Sequence, residues 1–277
     1  MPNYLVAAVA DIHGGSSLAP CPAEGARLAD GHKVLPGKHQ RWLWGKWVGF
    51  WDATRAWRQE LQAQLVLVIV GDAADGPGHH GTTQQMSNEP NAHKYIVERI
   101  FSVPRALHPK ATYMVRGTAA HSGGESAPYE EDLAQQLRCV RDTKTGLWSR
   151  WHLRLELNGV LFDFQHHGRM GTRPHTRQNV MSLLAHQIWM EHRLRNKRAP
   201  DVAFRAHQHQ FGDSFDAFPT RVIQLPPWQL KTSYAHAKVP ETIQDIGGVL
   251  CAVYPDGQYE MRKVLYEPDL PPVERLG

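Results

Sequence analysis

Short apolar runs, each closed by a polar or glycine-rich stretch, divide this chain into elements. Residues 4–10 are almost wholly apolar and stop at Asp11-Ile12-His13-Gly14-Gly15, which predicts a buried strand opening into a loop. Residues 65–70 predict a second buried strand, running straight into Gly71-Asp72. Residues 112–115 predict a third, followed by Arg116-Gly117-Thr118. Residues 151–157 and 160–165 flank Asn158-Gly159, a strong hairpin signal. Residues 202–206 predict a strand ending at His207-Gln208-His209, and residues 221–225 another, ending at Pro226-Pro227-Trp228. A second hairpin is predicted from 249–254 and 258–264 around Pro255-Asp256-Gly257.

Helical patterning covers 40–64, 92–107, 130–141 and 176–195. In the first of these, Trp44, Trp47 and Trp51 share one face, which predicts a core stripe rather than a nucleobase platform. Residues 14–39 show little periodicity; with the following helix they form an insertion over about 14–64. The proline-rich tail from about 267 is expected to be loose. Strands and helices alternate early and hairpins gather late, so one α/β domain with mixed sheets over 1–277 is expected.

Composition narrows the function classes. The net charge of +4 is too mild for a dedicated DNA-coating protein but suits an anionic substrate. Three cysteines, Cys21, Cys139 and Cys251, make no disulfide framework, and a reducing, cytoplasmic setting is expected. The longest apolar runs have six residues, against about 20 for a membrane-spanning helix. No membrane association is expected, and no protein partner is implied.

The 17 histidines are the anomaly, and their positions matter more than their number. Several predicted strands end in potential metal ligands: Asp11 and His13, Asp72, Thr118 and His121, His166 and His167, His207 and His209. In open α/β sheets, groups at the carboxyl ends of strands converge on one crevice. Carboxylates and imidazoles together form a mixed N/O donor set, which suits manganese, iron or zinc and suits calcium poorly.

In these motifs the chain resembles the calcineurin-like metallophosphoesterase family. The matches are Asp11-Ile12-His13, Gly71-Asp72, Gly117-Thr118-Ala119-Ala120-His121, His167-Gly168 and Ala206-His207-Gln208-His209. The resemblance implies an α/β/β/α sandwich of two mixed sheets flanked by helices. It also implies two divalent ions, manganese favoured, that activate a water for attack on phosphorus. One ion would take Asp11, His13, Asp72 and His209; the other would share Asp72 and take His167 and His207. Two departures stand out: Ala206 replaces a glycine, and Thr118 replaces the family's asparagine, with the histidine displaced to His121. This third motif, with Pro227-Trp228-Gln229-Leu230 later, resembles phage- or prophage-type members.

His121 is then either a ligand or the acid that protonates the leaving oxygen. His166 is the alternative to His167, and Asp75 is expected to orient a ligand from behind. Arg116 is a phosphate contact or a structural ion pair. Arg173, Arg177 and His80 are further candidate substrate contacts. The implied activity is phosphoester hydrolysis, with a nucleic-acid or nucleotide diester first. A phosphomonoester or phosphoprotein substrate comes second, and a metal-holding binding module is the alternative class.

Overall fold

The computed structural model describes residues 1–75, 84–122, 128–169, 171, 174–270 and 272–275. In chain order its elements begin with β1 (Tyr4–Val9), β2 (Ala26–Arg27), β3 (Lys33–Val34), α1 (Lys38–Leu61), β4 (Gln64–Val70), α2 (Pro90–Arg105) and β5 (Ala111–Val115). There follow α3 (Ala119–Ser122), α4 (Pro128–Gln136), β6 (Ser149–Arg150), β7 (Leu153–Leu157), β8 (Val160–His167) and α5 (Pro174–Leu194). The chain closes with β9 (Val202–Ala206), β10 (Gly212–Asp213), β11 (Arg221–Gln224), α6 (Ser233–Lys238), β12 (Ile246–Val253) and β13 (Tyr259–Tyr266).

Two mixed sheets are stacked between helices. One has the order β13-β12-β1-β4-β5-β6, with β1, β4, β5 and β6 parallel, β12 antiparallel to β1, and β13 antiparallel to β12. The other has the order β10-β11-β9-β8-β7, with β8, β9 and β11 parallel. Alternation along β1 explains the layering. Leu5, Ala7 and Val9 face Trp47, Phe50, Trp51 and Phe101 from α1 and α2. Val6 and Ala8 face Phe162, Phe164 and Phe204 from the second sheet. Both faces are therefore buried, which is why these strands read as unbroken apolar runs. Met181 and Ala185 of α5 cover the far side of the second sheet at Ala203 and Val222. The result is an α/β/β/α sandwich.

The tryptophan stripe is core: Trp47 and Trp51 are fully buried, and Trp47 packs edge-on against Trp228 at 4.8 Å. The segment ahead of α1 is not wholly irregular. It holds the β2–β3 ribbon, and Gly14 and Ser16 bridge to Ala74 and Gln85. The helix predicted over 130–141 stops at Gln136. Arg138 turns left-handed (φ 55°), and Val140 N–H then donates to Thr112 O at 2.8 Å, beside β5. The Asn158-Gly159 turn has positive φ at both residues (48° and 87°), as a two-residue hairpin requires.

A buried ion pair ties the second sheet. Asp163 of β8 meets Arg205 of β9 at 2.8 Å and His152 at 2.5 Å. Burial alone would raise the Asp163 pKa, but His152 and Arg205 outweigh it and bring it down to about 2. A depressed carboxylate stabilises the fold above its unfolded pKa, and that contribution is lost as pH falls through the folded value. Stability of about 2 kcal/mol should therefore disappear between about pH 4 and pH 2. Urea unfolding at pH 5 and pH 2 measures it, and Asp163→Asn should flatten that part of the profile.

Candidate metal centre

The parallel strands of both sheets point their carboxyl ends at the same edge, and there the two sheets are joined. Asp11 N–H donates to Gly71 O (3.1 Å) and His13 N–H to Asp72 O (2.9 Å), which aligns the loops after β1 and β4. Asp11 Oδ2 accepts from His207 N–H at 3.0 Å, across to the second sheet. Trp228 N–H donates to Asp11 O at 2.9 Å. Asp11 is thus held by backbone from three distant segments.

Among the described residues, three groups could hold a metal ion. In the first, His209 Nε2 lies 3.4 Å and His13 Nε2 4.0 Å from Asp11 Oδ1, and the two nitrogens are 3.2 Å apart. In the second, Asp72, His166 and His207 converge, with His166 Nε2 3.1 Å from Asp72 Oδ2. In the third, Asp75 Oδ1 lies 3.5 Å from His13 Nδ1 and 3.2 Å from His121 Nδ1. Asp75 Oδ1 thereby faces two imidazoles, and neither contact closes a hydrogen bond.

Backbone conformation singles out the first two groups. Asp11, His13, Asp72, His207 and His209 all adopt positive φ, between 48° and 76°. Such φ values are uncommon outside glycine and cluster where structure around a site imposes them. His207 and His209 therefore lie beyond the end of β9 in left-handed backbone, not on one strand face. Each serves a different group.

Of the two adjacent histidines, the structure brings His166 into the cluster and leaves His167 exposed. Val160, Phe162 and Phe164 line the inter-sheet face of β8, and His166, at a register shift between Phe164 and His167, reaches the first sheet with its Nδ1 2.8 Å from Val70 O. The His167 ring stands 4.9 Å from that of His207, outside the three groups.

Thr118 occupies the second group. Its amide donates to Asp72 Oδ1 at 2.6 Å, and its hydroxyl lies 3.1 Å from Asp72 Oδ2, 3.2 Å from His207 Nδ1 and 3.4 Å from His166 Nε2. Glu130 of α4 is a residue that sequence motifs did not signal. Fully buried, it accepts from Gly117 N–H at 2.7 Å and lies 3.5 Å from Ala73 N, linking the loops that carry Thr118 and Asp72. Burial and the Asp72 charge push its pKa up to about 7. Arg116 is turned away into a structural pair: its Nε donates to Ser149 Oγ at 2.8 Å and its Nη2 is 3.6 Å from Glu131. His80 and Arg173 lie outside the described residues, as does the side chain of Arg177 on α5.

Electrostatics bind the cluster together. Burial opposes the charge on Asp72, but His166, then His13 and His121, hold its carboxyl well below the usual range. Burial likewise works against charge on His166, yet Asp72 and Asp11 raise its pKa to about 10. His207 is pushed down to about 4 by burial and by the His166 charge. His121 is raised: Asp75, Asp72 and Asp11 outweigh its burial.

The donor set fits divalent metal ions. Asp11 Oδ1 is buried without a hydrogen-bond partner, while Nε2 atoms of His13, His166 and His209 surround it at 3.4 to 4.0 Å. A buried carboxylate oxygen facing three imidazole nitrogens is costly unless something positive completes it.

No family model matches the chain, and no curated protein matches it. Solved structures similar to it include a dimetal phosphatase from Danio rerio, at 10% identity over 95% of this chain and 96% of that one, with a TM-score of 0.49. An NAD nucleotidase from Haemophilus influenzae is 12% identical over 96% of this chain and 56% of its own, with a TM-score of 0.39. A sulfate thiohydrolase from Thermus thermophilus is 10% identical over 96% of this chain and 57% of its own, with a TM-score of 0.44. This chain spans little more than half the length of the last two.

Proposed function

We propose that the chain is a dinuclear metal-dependent phosphoesterase of the calcineurin-like type, acting first on phosphodiesters. The observation that carries the reading is the pair of largely buried groups, each one carboxylate with two imidazoles, with Asp11 Oδ1 unpartnered and facing imidazoles of both. Asp11, His13 and His209 would hold one ion and Asp72, His166 and His207 the other. His166 takes the place that the sequence resemblance gave to His167. Two divalent ions, manganese first, would supply Lewis acidity, lowering the pKa of a bound water and neutralising charge on phosphoryl oxygens.

The remaining side chains then divide the work. Asp75 Oδ1 faces His121 Nδ1 at 3.2 Å, so Nε2 is the nitrogen turned away from that carboxylate and the one that would donate. Asp75, Asp72 and Asp11 raise the His121 pKa against the effect of burial, the direction that favours the protonated form an acid for the leaving oxygen requires. Glu130 fixes the two loops whose spacing sets Thr118 against Asp72.

The test has a binding arm and a turnover arm. His166 must lose a proton that its carboxylate neighbours hold up to about pH 10. That proton stabilises the metal-free fold fully below pH 6.5, and the stabilisation is lost as pH rises through about 10. Manganese affinity should therefore tighten up to about tenfold per pH unit between pH 7 and 9. Calorimetry in buffers of different ionisation enthalpy should show about one proton released from this site. The loaded protein should hydrolyse bis-p-nitrophenyl phosphate faster than p-nitrophenyl phosphate. Preference for the monoester overturns the diesterase reading. Two bound ions with no turnover of any phosphoester favour the binding module instead.

A further inference from the structure

We propose that the Thr118 hydroxyl is itself a metal ligand, a fourth donor of the second group beside Asp72, His166 and His207. The inference rests on the metal-centre reading and adds to it a neutral side chain outside the carboxylate and imidazole pattern. Thr118 Oγ1 lies 3.1 Å from Asp72 Oδ2, 3.2 Å from His207 Nδ1 and 3.4 Å from His166 Nε2. Asp72 Oδ2 and His166 Nε2 are themselves 3.1 Å apart. Asp72 follows β4, Thr118 follows β5, His166 belongs to β8 and His207 follows β9. Donor atoms from separate segments of the chain thus meet at nearly equal spacing.

The spacing is that of donors around one ion. Bonds of about 2.0–2.2 Å put neighbouring donors roughly 2.8–3.6 Å apart, from the octahedral to the tetrahedral arrangement. A hydroxyl bound to a carboxylate by a hydrogen bond alone would sit closer, at about 2.5–2.7 Å. Its one proton could serve only one of the surrounding atoms, whereas a lone pair directed at a shared ion suits them all. The backbone fixes where that lone pair can be. The Thr118 amide donates to Asp72 Oδ1 at 2.6 Å, so it is Oδ2 that Asp72 turns to the group. A Cβ at Gly117 would collide with the Asp72 carboxyl, and one at Gly71 with the His166 ring and Gly117 itself. The two loops therefore approach to backbone contact, and buried Glu130 holds Gly117 N–H at 2.7 Å. The resulting donor set pairs oxygens of Asp72 and Thr118 with nitrogens of His166 and His207. Such a set suits manganese and suits soft ions less.

The experiment uses the full chain, stripped of metal and then titrated. Manganese calorimetry compares the parent with Thr118→Val, which exchanges the hydroxyl for a methyl of similar size, and with Thr118→Ser, which keeps the oxygen. The parent should bind two ions. Thr118→Val should keep one at the parent's affinity and weaken the other at least about a hundredfold, beyond the usual cost of losing an outer hydrogen bond. Thr118→Ser should stay close to the parent. Thr118→Cys reports the contact directly. Loaded with cobalt, it should show a thiolate-to-cobalt charge-transfer band in the near ultraviolet that the parent, with its three buried cysteines, lacks. Two ions held at the parent's affinity in Thr118→Val overturn the assignment, and so does a cobalt-loaded Thr118→Cys without the band. If the parent meanwhile hydrolyses bis-p-nitrophenyl phosphate, the phosphoesterase reading survives that failure. If one ion weakens in Thr118→Val and the band appears in Thr118→Cys while the parent hydrolyses no phosphoester, Thr118 is upheld as a ligand and the phosphoesterase reading falls.

Discussion

Asp72→Ala should abolish nearly all turnover, by roughly 1,000-fold or more, and lower the bound metal below two ions per chain. Charge stabilisation by a bound divalent ion is worth several kcal/mol at the transition state, and about 1.4 kcal/mol is tenfold in rate. The structure explains why one carboxylate matters so much. Its Oδ1 takes the Thr118 amide and its Oδ2 faces both the Thr118 hydroxyl and His166. Removing it leaves His166 without its nearest counter-charge, so that the imidazole pKa should drop back from about 10. Metal analysis, the imidazole resonances of the metal-free protein and turnover of bis-p-nitrophenyl phosphate should move together. Full turnover with both ions retained would contradict the assignment of Asp72.

His121→Ala should cost about 100- to 1,000-fold in kcat on a substrate with an alkyl leaving group, the usual worth of a positioned acid. On p-nitrophenyl esters, whose leaving group needs little protonation, the loss should be tenfold or less. That split separates the two roles the sequence left open. A ligand would lower metal content and slow both substrates alike; an acid spares the metal and the activated ester. The pH profile adds a sign. Because Asp75, Asp72 and Asp11 raise the His121 pKa against its burial, the protonated form should persist above pH 6.5. The alkyl-ester rate should then fall as pH rises through that pKa, and the falling limb should vanish in the variant.

Much of this arrangement was legible in the sequence, for physical reasons that differ by element. β1, β4 and β9 are buried on both faces, so their apolar runs and polar stops marked where Asp11, Asp72 and His207 emerge. The Asp72-to-Asp75 spacing also pointed to a supporting carboxylate, and Asp75 does stand behind His13 and His121. Strand parity gives no rule for choosing between His166 and His167, because the β8–β9 register shifts between Phe164 and His167. Glu130 had no local signal, because its role comes from folding α4 against two loops far away in sequence. The left-handed backbone at His207 and His209 was equally hidden, since His-x-His on an apolar strand reads as a shared face.

The hydrogen bond from His207 N–H to Asp11 Oδ2 spans 196 residues and crosses from one sheet to the other. Each of the two groups draws its side chains from both sheets, so neither is complete until the sheets have docked. Whatever fills the centre would act as a clasp on that seam, favouring the closed sandwich over every state in which the sheets have parted. By mass action, a ligand at 100 times its Kd adds about 2.7 kcal/mol to the closed form. The protein would then be easiest to open, and easiest to lose to proteolysis, when nothing is bound at that seam.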